Sequence, residues 1–155
     1  MMKAEKLVLL LKQKHLTVGS VESMTAGLFS ACITEVPGAS EVFKGSIVTY
    51  TPEEKIALVG VRPETIAENG VVSWQVANEM AYFGRMRLDV DYCVAVTGNA
   101  GPTLDKGSRE VGRVFIAIVN REHMWGIPLN LTGSRENVRA AAVNAMISAL
   151  EGVLK

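Results

Sequence analysis

The sequence has no excess of charge of either sign. Its 155 residues include 16 lysines and arginines against 16 aspartates and glutamates, so the formal net charge at pH 7 is zero. Proteins that bind nucleic acid normally present a basic surface to the phosphates, and this composition supplies none. We therefore expect no nucleic-acid partner.

Cysteine is also scarce. The two cysteines, Cys32 and Cys93, both lie inside apolar runs. Two residues are too few for a disulfide-rich scaffold, and cysteines in apolar runs are usually buried free thiols. We expect them to be reduced in the cytosol, although the sequence leaves a single disulfide between them open.

Long hydrophobic runs are absent. Residues 7–11 are apolar, but this stretch is far shorter than the roughly 20 residues of a membrane-spanning helix, and no small-residue cleavage site follows it. We expect a cytoplasmic protein with no membrane partner. At 48% hydrophobic residues, a chain of this length can bury a substantial core, which favours a single domain over residues 1–155.

Histidine is too sparse for two common kinds of site. His15 and His123 are the only histidines, and they are predicted at a helix end and in a turn. A zinc site and a Ser-His-Asp triad therefore both lack parts. No G-x-G-x-x-G sequence is present, so a dinucleotide-dependent redox enzyme is not expected. We expect neither a metal ion nor a cofactor.

Helical and extended patterns alternate along the chain. The clearest helix start is Thr51-Pro52-Glu53-Glu54, which supplies an N-cap hydroxyl, a proline at the first helical position and a glutamate three residues after the cap. Ser73 and Ser134 precede two further helical patterns. The predicted helices cover residues 3–14, 26–36, 52–59, 63–69, 74–87 and the segment after 134, and the predicted strands cover residues 16–21, 45–50, 92–97, 113–119 and 124–131.

This alternation is typical of an α/β protein. Strands that alternate with helices form a largely parallel sheet that is covered on both faces. The last two strands are joined by Asn120-Arg121-Glu122-His123, which predicts a hairpin and hence an antiparallel pairing. We therefore predict a three-layer α/β/α sandwich with a mixed, mainly parallel sheet, whose strand order the sequence leaves open.

Three polar segments follow predicted strands, which is where open α/β sheets usually place their sites. The first runs from Glu22 to Gly27, between a strand and a helix. Ser23 there lies near free backbone N–H groups and the positive end of a helix dipole, which suits a nucleophile whose attack creates an oxyanion. On spacing alone, a serine or threonine in this position is more often a simple helix N-cap.

The second segment contains Tyr50, at the end of a strand, and Lys55, near the start of the next helix. A lysine near a helix N-terminus faces the positive end of the dipole, which favours its neutral form. A neutral amine beside a phenol can act as a general base. An edge aromatic residue and a solvated surface charge would give the same pattern.

The third segment is Thr97-Gly98-Asn99-Ala100-Gly101-Pro102, which continues toward Lys106 and Arg109. Its glycines allow the backbone to approach a ligand, and consecutive N–H groups can form an anion-binding nest. The two basic residues could add charge to a phosphate site, as could Arg135 and Arg139 on the last helix. A surface loop and a solvated helix face account for the same residues nearly as well.

The order of these motifs along the chain resembles that of the CinA C-terminal-domain family. The first segment resembles the family's A-E-S-C-T-G-G-L, and the next two stretches are similar to V-P-G-A-S-x-x-F-x-G and Y-x-x-x-x-K-x-x-L-G-V. Later stretches are similar to G-A-V-S, T-G-I-A-G-P and G-x-R-x-x-V/I-R. In the same order, the matching stretches are residues 21–28, 36–45, 50–61, 70–73, 97–102 and 133–139.

The resemblance implies an amidase of pyridine-nucleotide salvage that converts nicotinamide mononucleotide to nicotinate mononucleotide and ammonia. By position, Ser23 is the implied nucleophile, and Lys55 and Tyr50 are the groups that activate it and carry the proton to the departing ammonia. The implied partners are a small-molecule nucleotide substrate and further copies of the chain, because homo-oligomers are common in the family. The expected substrate-binding residues are Glu22, Thr25, Ala26, Gly27, Thr97, Gly98, Asn99, Ala100, Gly101 and Arg139.

Four positions depart from the family's pattern. Met24 stands where a cysteine is usual and Ala26 where the first of two glycines is usual, so both flank the implied nucleophile. Asn99 replaces an isoleucine, and Glu110 replaces a proline. Two alternatives therefore stay open: a catalytically inactive relative that binds a nucleotide or a protein partner, and an amidase for another small amide. The N-terminal domain that many members carry is not expected in this chain.

Overall fold

A computed structural model describes residues 2–104 and 110–155. Five strands, β1 (Val18–Glu22), β2 (Phe43–Val48), β3 (Tyr92–Gly98), β4 (Arg113–Val119) and β5 (Met124–Asn130), form one sheet in the order β2-β1-β3-β4-β5. The helices are α1 (Met2–Lys14), α2 (Leu28–Thr34), α3 (Pro52–Glu54), α4 (Pro63–Asn69), α5 (Trp74–Leu88) and α6 (Arg135–Leu154). A π-helical turn, Lys55–Val59, continues α3, and a short 3-10 turn, Ala39–Glu41, precedes β2.

Pairing in the sheet changes from parallel to antiparallel at β3. Strand β1 pairs in parallel with β2 on one side and with β3 on the other, whereas the β3–β4 and β4–β5 pairings are antiparallel. Four of the five strands therefore run in the same direction, and β4 opposes them. The prediction of a three-layer α/β/α sandwich with a mixed, mainly parallel sheet is confirmed.

The two faces of the sheet carry separate hydrophobic cores. On one face, α1, α2 and α6 bury a cluster that includes Leu7, Phe29 and Met146. On the other face, α5 buries Met80 against the strands. Helix α5 can approach β1 closely because residue 84 is a glycine, at which a side chain would collide with Val21.

Three predicted helix starts are capped as the sequence indicated. The hydroxyls of Thr51, Ser73 and Ser134 each accept a hydrogen bond from the backbone N–H three residues later, at 3.1–3.2 Å. These bonds satisfy N–H groups that have no partner inside the helix. The caps therefore fix where α3, α5 and α6 begin, and with them the ends of the loops that surround the candidate site.

The observed boundaries differ from the predicted ones where the backbone turns. Helix α2 begins at Leu28 instead of residue 26, because Ala26 and Gly27 have φ angles of 48° and 95° and form a left-handed turn. Strand β1 ends at Glu22 and so contains the first residue of the polar segment. The predicted helix over residues 52–59 is divided into α3 and the π-helical turn, which apolar spacing does not distinguish.

The two cysteines are free thiols, Cys93 buried and Cys32 half-buried. Burial raises the pKa of the Cys93 thiol well above its usual range, which keeps that thiol protonated. The prediction of a buried free thiol is therefore confirmed for Cys93. In the parts of the chain that the structure describes, no helix has the length and apolar character needed to cross a membrane.

Candidate active site

The polar segments that follow β1, β2 and β3 meet at the carboxyl ends of these strands. They enclose a pocket of about 250 Å³. The polar side chains in its wall are Ser23, Tyr50, Thr51, Lys55 and Arg135. The rest of the wall is formed by the apolar side chains of Met24, Pro52, Val71 and Val72 and by Gly98 and Ala100.

Ser23 and Lys55 are in direct contact inside the pocket. The Nζ of Lys55 donates a hydrogen bond to Ser23 Oγ at 2.9 Å and another to the backbone carbonyl of Thr49 at 2.8 Å. Lys55 is 0% exposed and Ser23 is 5% exposed. A serine nucleophile needs a proton acceptor within hydrogen-bond distance, and a buried amine in this position can supply one.

The end of β2 and the capped start of α3 explain where Lys55 lies. The chain leaves β2 at Val48, and the cap at Thr51 starts α3 three residues later. Helical side chains lean toward the N-terminus of their helix, so Lys55, one turn after the cap, extends back toward Thr49. The prediction that Tyr50 and Lys55 flank one strand–helix junction is thus explained by local structure.

Ser23 lies on a tight turn between β1 and α2. Its N–H donates to the carbonyl of Val96 on β3 at 3.2 Å, which extends the sheet pairing by one residue. The N–H of Ala26 closes the turn onto the Ser23 carbonyl at 3.0 Å. The residue at the N-cap of α2 is Gly27, and no side chain caps that helix locally, so neither Ser23 nor Thr25 is its N-cap.

Glu22, directly before Ser23, is fully buried beneath this turn. Its two carboxylate oxygens are surrounded by donor groups from the turn, from α2 and from the strands β1 and β2. A carboxylate can only accept hydrogen bonds, so a surrounding that consists of donors matches it. The seven donors within hydrogen-bonding distance, at 2.6–3.3 Å, are the backbone N–H groups of Gly27, Phe29 and Ser30 and the hydroxyls of Ser20, Thr25, Ser30 and Ser46.

This arrangement determines which backbone N–H groups are available beside Ser23. The sequence predicts free N–H groups near Ser23 at a helix start, but in the structure the groups at the start of α2 donate to Glu22. Within the described residues, no hydrogen bond is made by the N–H of Met24 or Thr25. These two amides directly follow Ser23, and of the two residues Met24 lines the pocket.

Arg139, on α6, holds the backbone of the same turn. Its Nε donates to the carbonyl of Met24 at 2.9 Å, and its Nη2 donates to the carbonyl of Thr25 at 3.1 Å. The C=O and N–H of one trans peptide point in opposite directions, so this contact turns the Thr25 N–H away from Arg139. Arg139 was predicted to bind substrate, and the structure places its guanidinium on the turn.

Arg135, one turn earlier on α6, reaches the pocket. Its Nη2 donates to the Tyr50 hydroxyl at 2.7 Å, and its Nη1 donates to the carbonyl of Gly101 at 2.8 Å. Tyr50 itself is 54% exposed, so this contact lies at the outer part of the pocket. The sequence indicates Arg135 only as one of two arginines that could reach a phosphate. Its spacing of four from Arg139 is the signal that both share one face of the helix.

The third polar segment contributes backbone to the pocket wall. Gly98 and Ala100 line the pocket, whereas Thr97 and Asn99, each 1% exposed, do not. The Thr97 hydroxyl donates to the carbonyl of Val71 at 3.1 Å, and Asn99 Oδ1 accepts from the N–H two residues later at 2.8 Å. Both side chains therefore support the wall from behind it.

The predicted site residues fall into two groups. Those that line the pocket are Ser23, Tyr50, Lys55, Gly98 and Ala100. Those that lie near it without lining it are Glu22, Thr25, Ala26, Gly27, Thr97, Asn99, Gly101 and Arg139. Lys106 and Arg109 lie outside the described residues. The described residues contain no group of three or more His, Cys, Asp or Glu side chains placed to hold a metal ion.

Sequence comparisons identify the relatives of the chain. The family model of the CinA C-terminal domain matches residues 2–154. A CinA-like protein of Flavobacterium psychrophilum is 42% identical over 146 residues, which are 94% of this chain and 34% of that protein. A putative competence-damage inducible protein of Streptococcus thermophilus is 44% identical over 131 residues, which are 84% of this chain and 31% of that protein. The chain thus spans about a third of the length of the curated relatives that it matches.

Solved structures of similar proteins have the same fold. A competence/damage inducible protein of Agrobacterium tumefaciens superimposes with a TM-score of 0.95 at 31% identity, over 99% of this chain and 94% of that one. A competence or damage-inducible protein of Enterobacter asburiae superimposes with a TM-score of 0.95 at 27% identity, over 99% of this chain and 96% of that one. The match to both is nearly end to end.

Proposed function

The chain belongs to the CinA C-terminal-domain family, and on this basis we propose that it is an amidase that hydrolyses the carboxamide of nicotinamide mononucleotide. The products are nicotinate mononucleotide and ammonia. The contact of 2.9 Å between Lys55 Nζ and Ser23 Oγ, both buried, is the observation that carries the proposal. Serine paired with lysine is one of the arrangements that serve acyl transfer in unrelated folds.

Lys55 is the group that takes the serine proton in this proposal. Burial penalises the charged form of an amine and so favours the neutral form that can accept a proton. Lys55 touches Ser23, whereas the Tyr50 hydroxyl is bonded to Arg135. As Ser23 Oγ attacks the carboxamide carbon, its proton passes to Lys55 Nζ and then to the nitrogen that departs as ammonia.

The N–H of Met24 is the proposed donor to the oxyanion. Met24 directly follows the nucleophile and lines the pocket, and its N–H makes no hydrogen bond to any described residue. Fixed backbone donors of this kind stabilise the negative charge that develops on the carbonyl oxygen during attack. Collapse of the tetrahedral intermediate leaves an ester on Ser23. A water molecule, whose proton Lys55 accepts, then hydrolyses that ester and restores the serine.

The pocket fits the reacting end of a nucleotide better than a whole one. Its volume of about 250 Å³ is slightly below the roughly 300 Å³ at which pockets for drug-sized ligands begin. Met24, Val71 and Val72 supply an apolar wall that suits a pyridine ring. Arg135, exposed at the outer part of the pocket, keeps further N–H donors for an anionic group such as a phosphate.

Ammonia release from nicotinamide mononucleotide tests the proposal. We expect the wild-type protein to release ammonia, and Ser23→Ala and Lys55→Met to lose that release. Methionine keeps most of the volume of the lysine side chain and removes the amine. Lys12→Met is the matched control, because Lys12 lies on the surface in an ion pair of 3.2 Å with Glu41. Circular dichroism establishes that each variant is folded.

The outcomes separate the proposal from its alternatives. If folded wild-type protein releases ammonia from another small amide but not from nicotinamide mononucleotide, the amidase chemistry stands and the proposed substrate is wrong. Stabilisation by nicotinamide mononucleotide without release of ammonia identifies a binding protein that lacks catalysis. Equal release by wild type and Ser23→Ala removes Ser23 from the mechanism.

A further inference from the structure

We propose that Glu22 is a positioning residue: its buried carboxylate fixes the turn that carries Ser23 and so sets the direction of the nucleophile. The inference deepens the proposed function, because it takes Ser23 as the attacking group. Glu22 does not line the pocket and its oxygens are occupied within the protein, so it acts through the turn and does not touch substrate.

The carboxylate joins three parts of the chain at one point. Ser20 and Ser46 reach it from β1 and β2, at 3.3 and 3.2 Å. Phe29 and Ser30 reach it from the first turn of α2, through backbone N–H groups at 3.0 and 3.1 Å. Because Ser23 lies between these parts in sequence, its turn is clamped at both ends by one side chain.

The backbone of Glu22 is as fixed as its side chain. It pairs in parallel with Val48 on β2 and with Val96 on β3, so the strand position before Ser23 is held from both sides. From this fixed strand position the carboxylate reaches forward to residues five to eight positions later. The length of the Glu22 side chain therefore sets the distance between the end of β1 and the start of α2, the two ends of the turn that carries Ser23.

The same contacts decide which amides remain free. Glu22 takes the N–H groups of Gly27, Phe29 and Ser30, which would otherwise compete for an anion near the turn. The amides of Met24 and Thr25 are left. Glu22 thus leaves the N–H of Met24, which lines the pocket, as the donor next to Ser23 for the developing negative charge.

Glu22→Gln tests the role, because it keeps the side-chain shape and places an amide NH2 against donor groups. The probe is phenylmethanesulfonyl fluoride, whose sulfonyl group forms an ester with a nucleophilic serine oxygen as fluoride and the serine proton leave. Intact-protein mass spectrometry gives the rate of modification, and Ser23→Ala establishes that Ser23 is the residue modified. Steady-state kinetics with nicotinamide mononucleotide supply kcat and KM separately.

Glu79→Gln is the matched control. Glu79 is a second buried carboxylate that accepts from a backbone N–H, at 2.9 Å from Arg62, and from the hydroxyl of Thr65 at 2.5 Å. It lies on α5, does not line the pocket, and ties α5 to the start of α4. Glu79 also forms an ion pair of 3.0 Å with Arg62, and the same glutamate-to-glutamine change is therefore made at a hydrogen-bonded carboxylate away from Ser23.

We expect Glu22→Gln to slow sulfonylation of Ser23 and to lower kcat by about 10- to 100-fold, with KM little changed, since a small misplacement of a reacting atom costs this much. Glu79→Gln should lose stability and keep the wild-type rate of sulfonylation. A folded Glu22→Gln protein that is sulfonylated at the wild-type rate overturns the inference.

If Glu22→Gln does not fold, Ser30→Ala combined with Ser46→Ala removes two donors, at 2.6 and 3.2 Å, and should slow sulfonylation by a smaller factor.

The readouts distinguish the two proposals. Wild-type protein that is sulfonylated at Ser23 but does not hydrolyse nicotinamide mononucleotide refutes the substrate, and the variant rates still decide the role of Glu22. Wild-type protein that shows no modification of Ser23, and whose ammonia release is not lost in Ser23→Ala, refutes both the nucleophile and the positioning residue. Where Glu22→Gln does not fold, unchanged rates in the Ser30→Ala, Ser46→Ala protein refute the role of Glu22 while the nucleophile stands.

Discussion

The guanidinium of Arg135 donates a hydrogen bond of 2.7 Å to the hydroxyl of Tyr50, across 85 positions of sequence. Tyr50 follows β2 and Arg135 opens α6, so this bond links the segment after β2 to the start of a helix that is remote in the chain. Hydrogen bonds from a charged donor are stronger than neutral ones, so the contact can hold an exposed phenol in one orientation. Both side chains line the pocket, and together they form a polar rim at its exposed outer part.

Tyr50→Phe shows whether this rim binds substrate or transfers protons. We expect KM for nicotinamide mononucleotide to rise by about tenfold with a smaller change in kcat, because a hydrogen bond worth about 1.5 kcal/mol that orients Arg135 is lost. Steady-state measurement of ammonia release gives both constants. The matched control is Tyr82→Phe, since Tyr82 is 47% exposed on α5 and does not line the pocket. A large fall in kcat at constant KM would assign the phenol to proton transfer.

The candidate site also shows which features a sequence predicts and which it does not. Tyr50 and Lys55 stand out in the sequence because a capped helix start follows a strand within a few residues. The contact between Lys55 and Ser23 joins positions 32 apart, and it follows only once β1 and β2 are known to be neighbours. Periodicity reports local structure and carries no information about strand order.

The direction in which a side chain points is a second feature that the sequence does not predict. Arg135 and Arg139 share a helix face, and the pattern does not say that one reaches the pocket and the other the carbonyls of the turn. The sequence predicts Glu22 among the substrate-binding residues, whereas the structure buries it completely. Its burial depends on the packing of α2 and β2 around it, which no spacing of polar residues within a single segment reveals.

The stability of the protein should depend on pH through Glu79. Desolvation raises the pKa of Glu79, but hydrogen bonds from Arg62 and Thr65 outweigh it, and the pKa lies below its usual range. A carboxylate with a lowered folded-state pKa stabilises the fold above its unfolded-state pKa, and loses that contribution as the pH falls through the folded-state pKa. We expect the free energy of unfolding to fall more steeply with acidification in wild type than in Glu79→Gln, from about pH 5 downward.

Urea unfolding at a series of pH values measures this difference. Glu35→Gln is the control, because Glu35 is exposed at the end of α2, and its pH profile should follow that of wild type. Parallel profiles for wild type and Glu79→Gln would show that Glu79 does not gain its stabilisation from ionisation.

The two thiols should react at different rates in the native protein. Burial raises the pKa of the Cys93 thiol well above its usual range, so almost none of it is thiolate at neutral pH, whereas Cys32 is half-buried. We expect Ellman's reagent to modify Cys32 first and Cys93 only after unfolding in urea. Absorbance of the released thiolate counts the reacted residues, and Cys32→Ser should remove the native-state reaction. Equal rates for both thiols in the folded protein would contradict the buried position of Cys93.

Ala26→Gly should stabilise the protein although it changes the turn next to Ser23. Ala26 has a φ of 48° and is exposed, so its Cβ occupies a strained backbone conformation without packing against the core. Removing that strain stabilises by roughly 1–2 kcal/mol, and the greater freedom of glycine in the unfolded chain offsets part of it, leaving a net gain of about 0.5–1 kcal/mol.

Gly27→Ala is the opposite control, because Gly27 has a φ of 95° and an added Cβ would meet nothing within 4 Å. Backbone strain costs roughly 1–2 kcal/mol there, and the smaller freedom of alanine in the unfolded chain offsets part of it, leaving an expected net loss of about 0.5–1 kcal/mol. Urea midpoints at constant m-value measure both changes, and a destabilised Ala26→Gly would show that Ala26 is not strained in the folded protein.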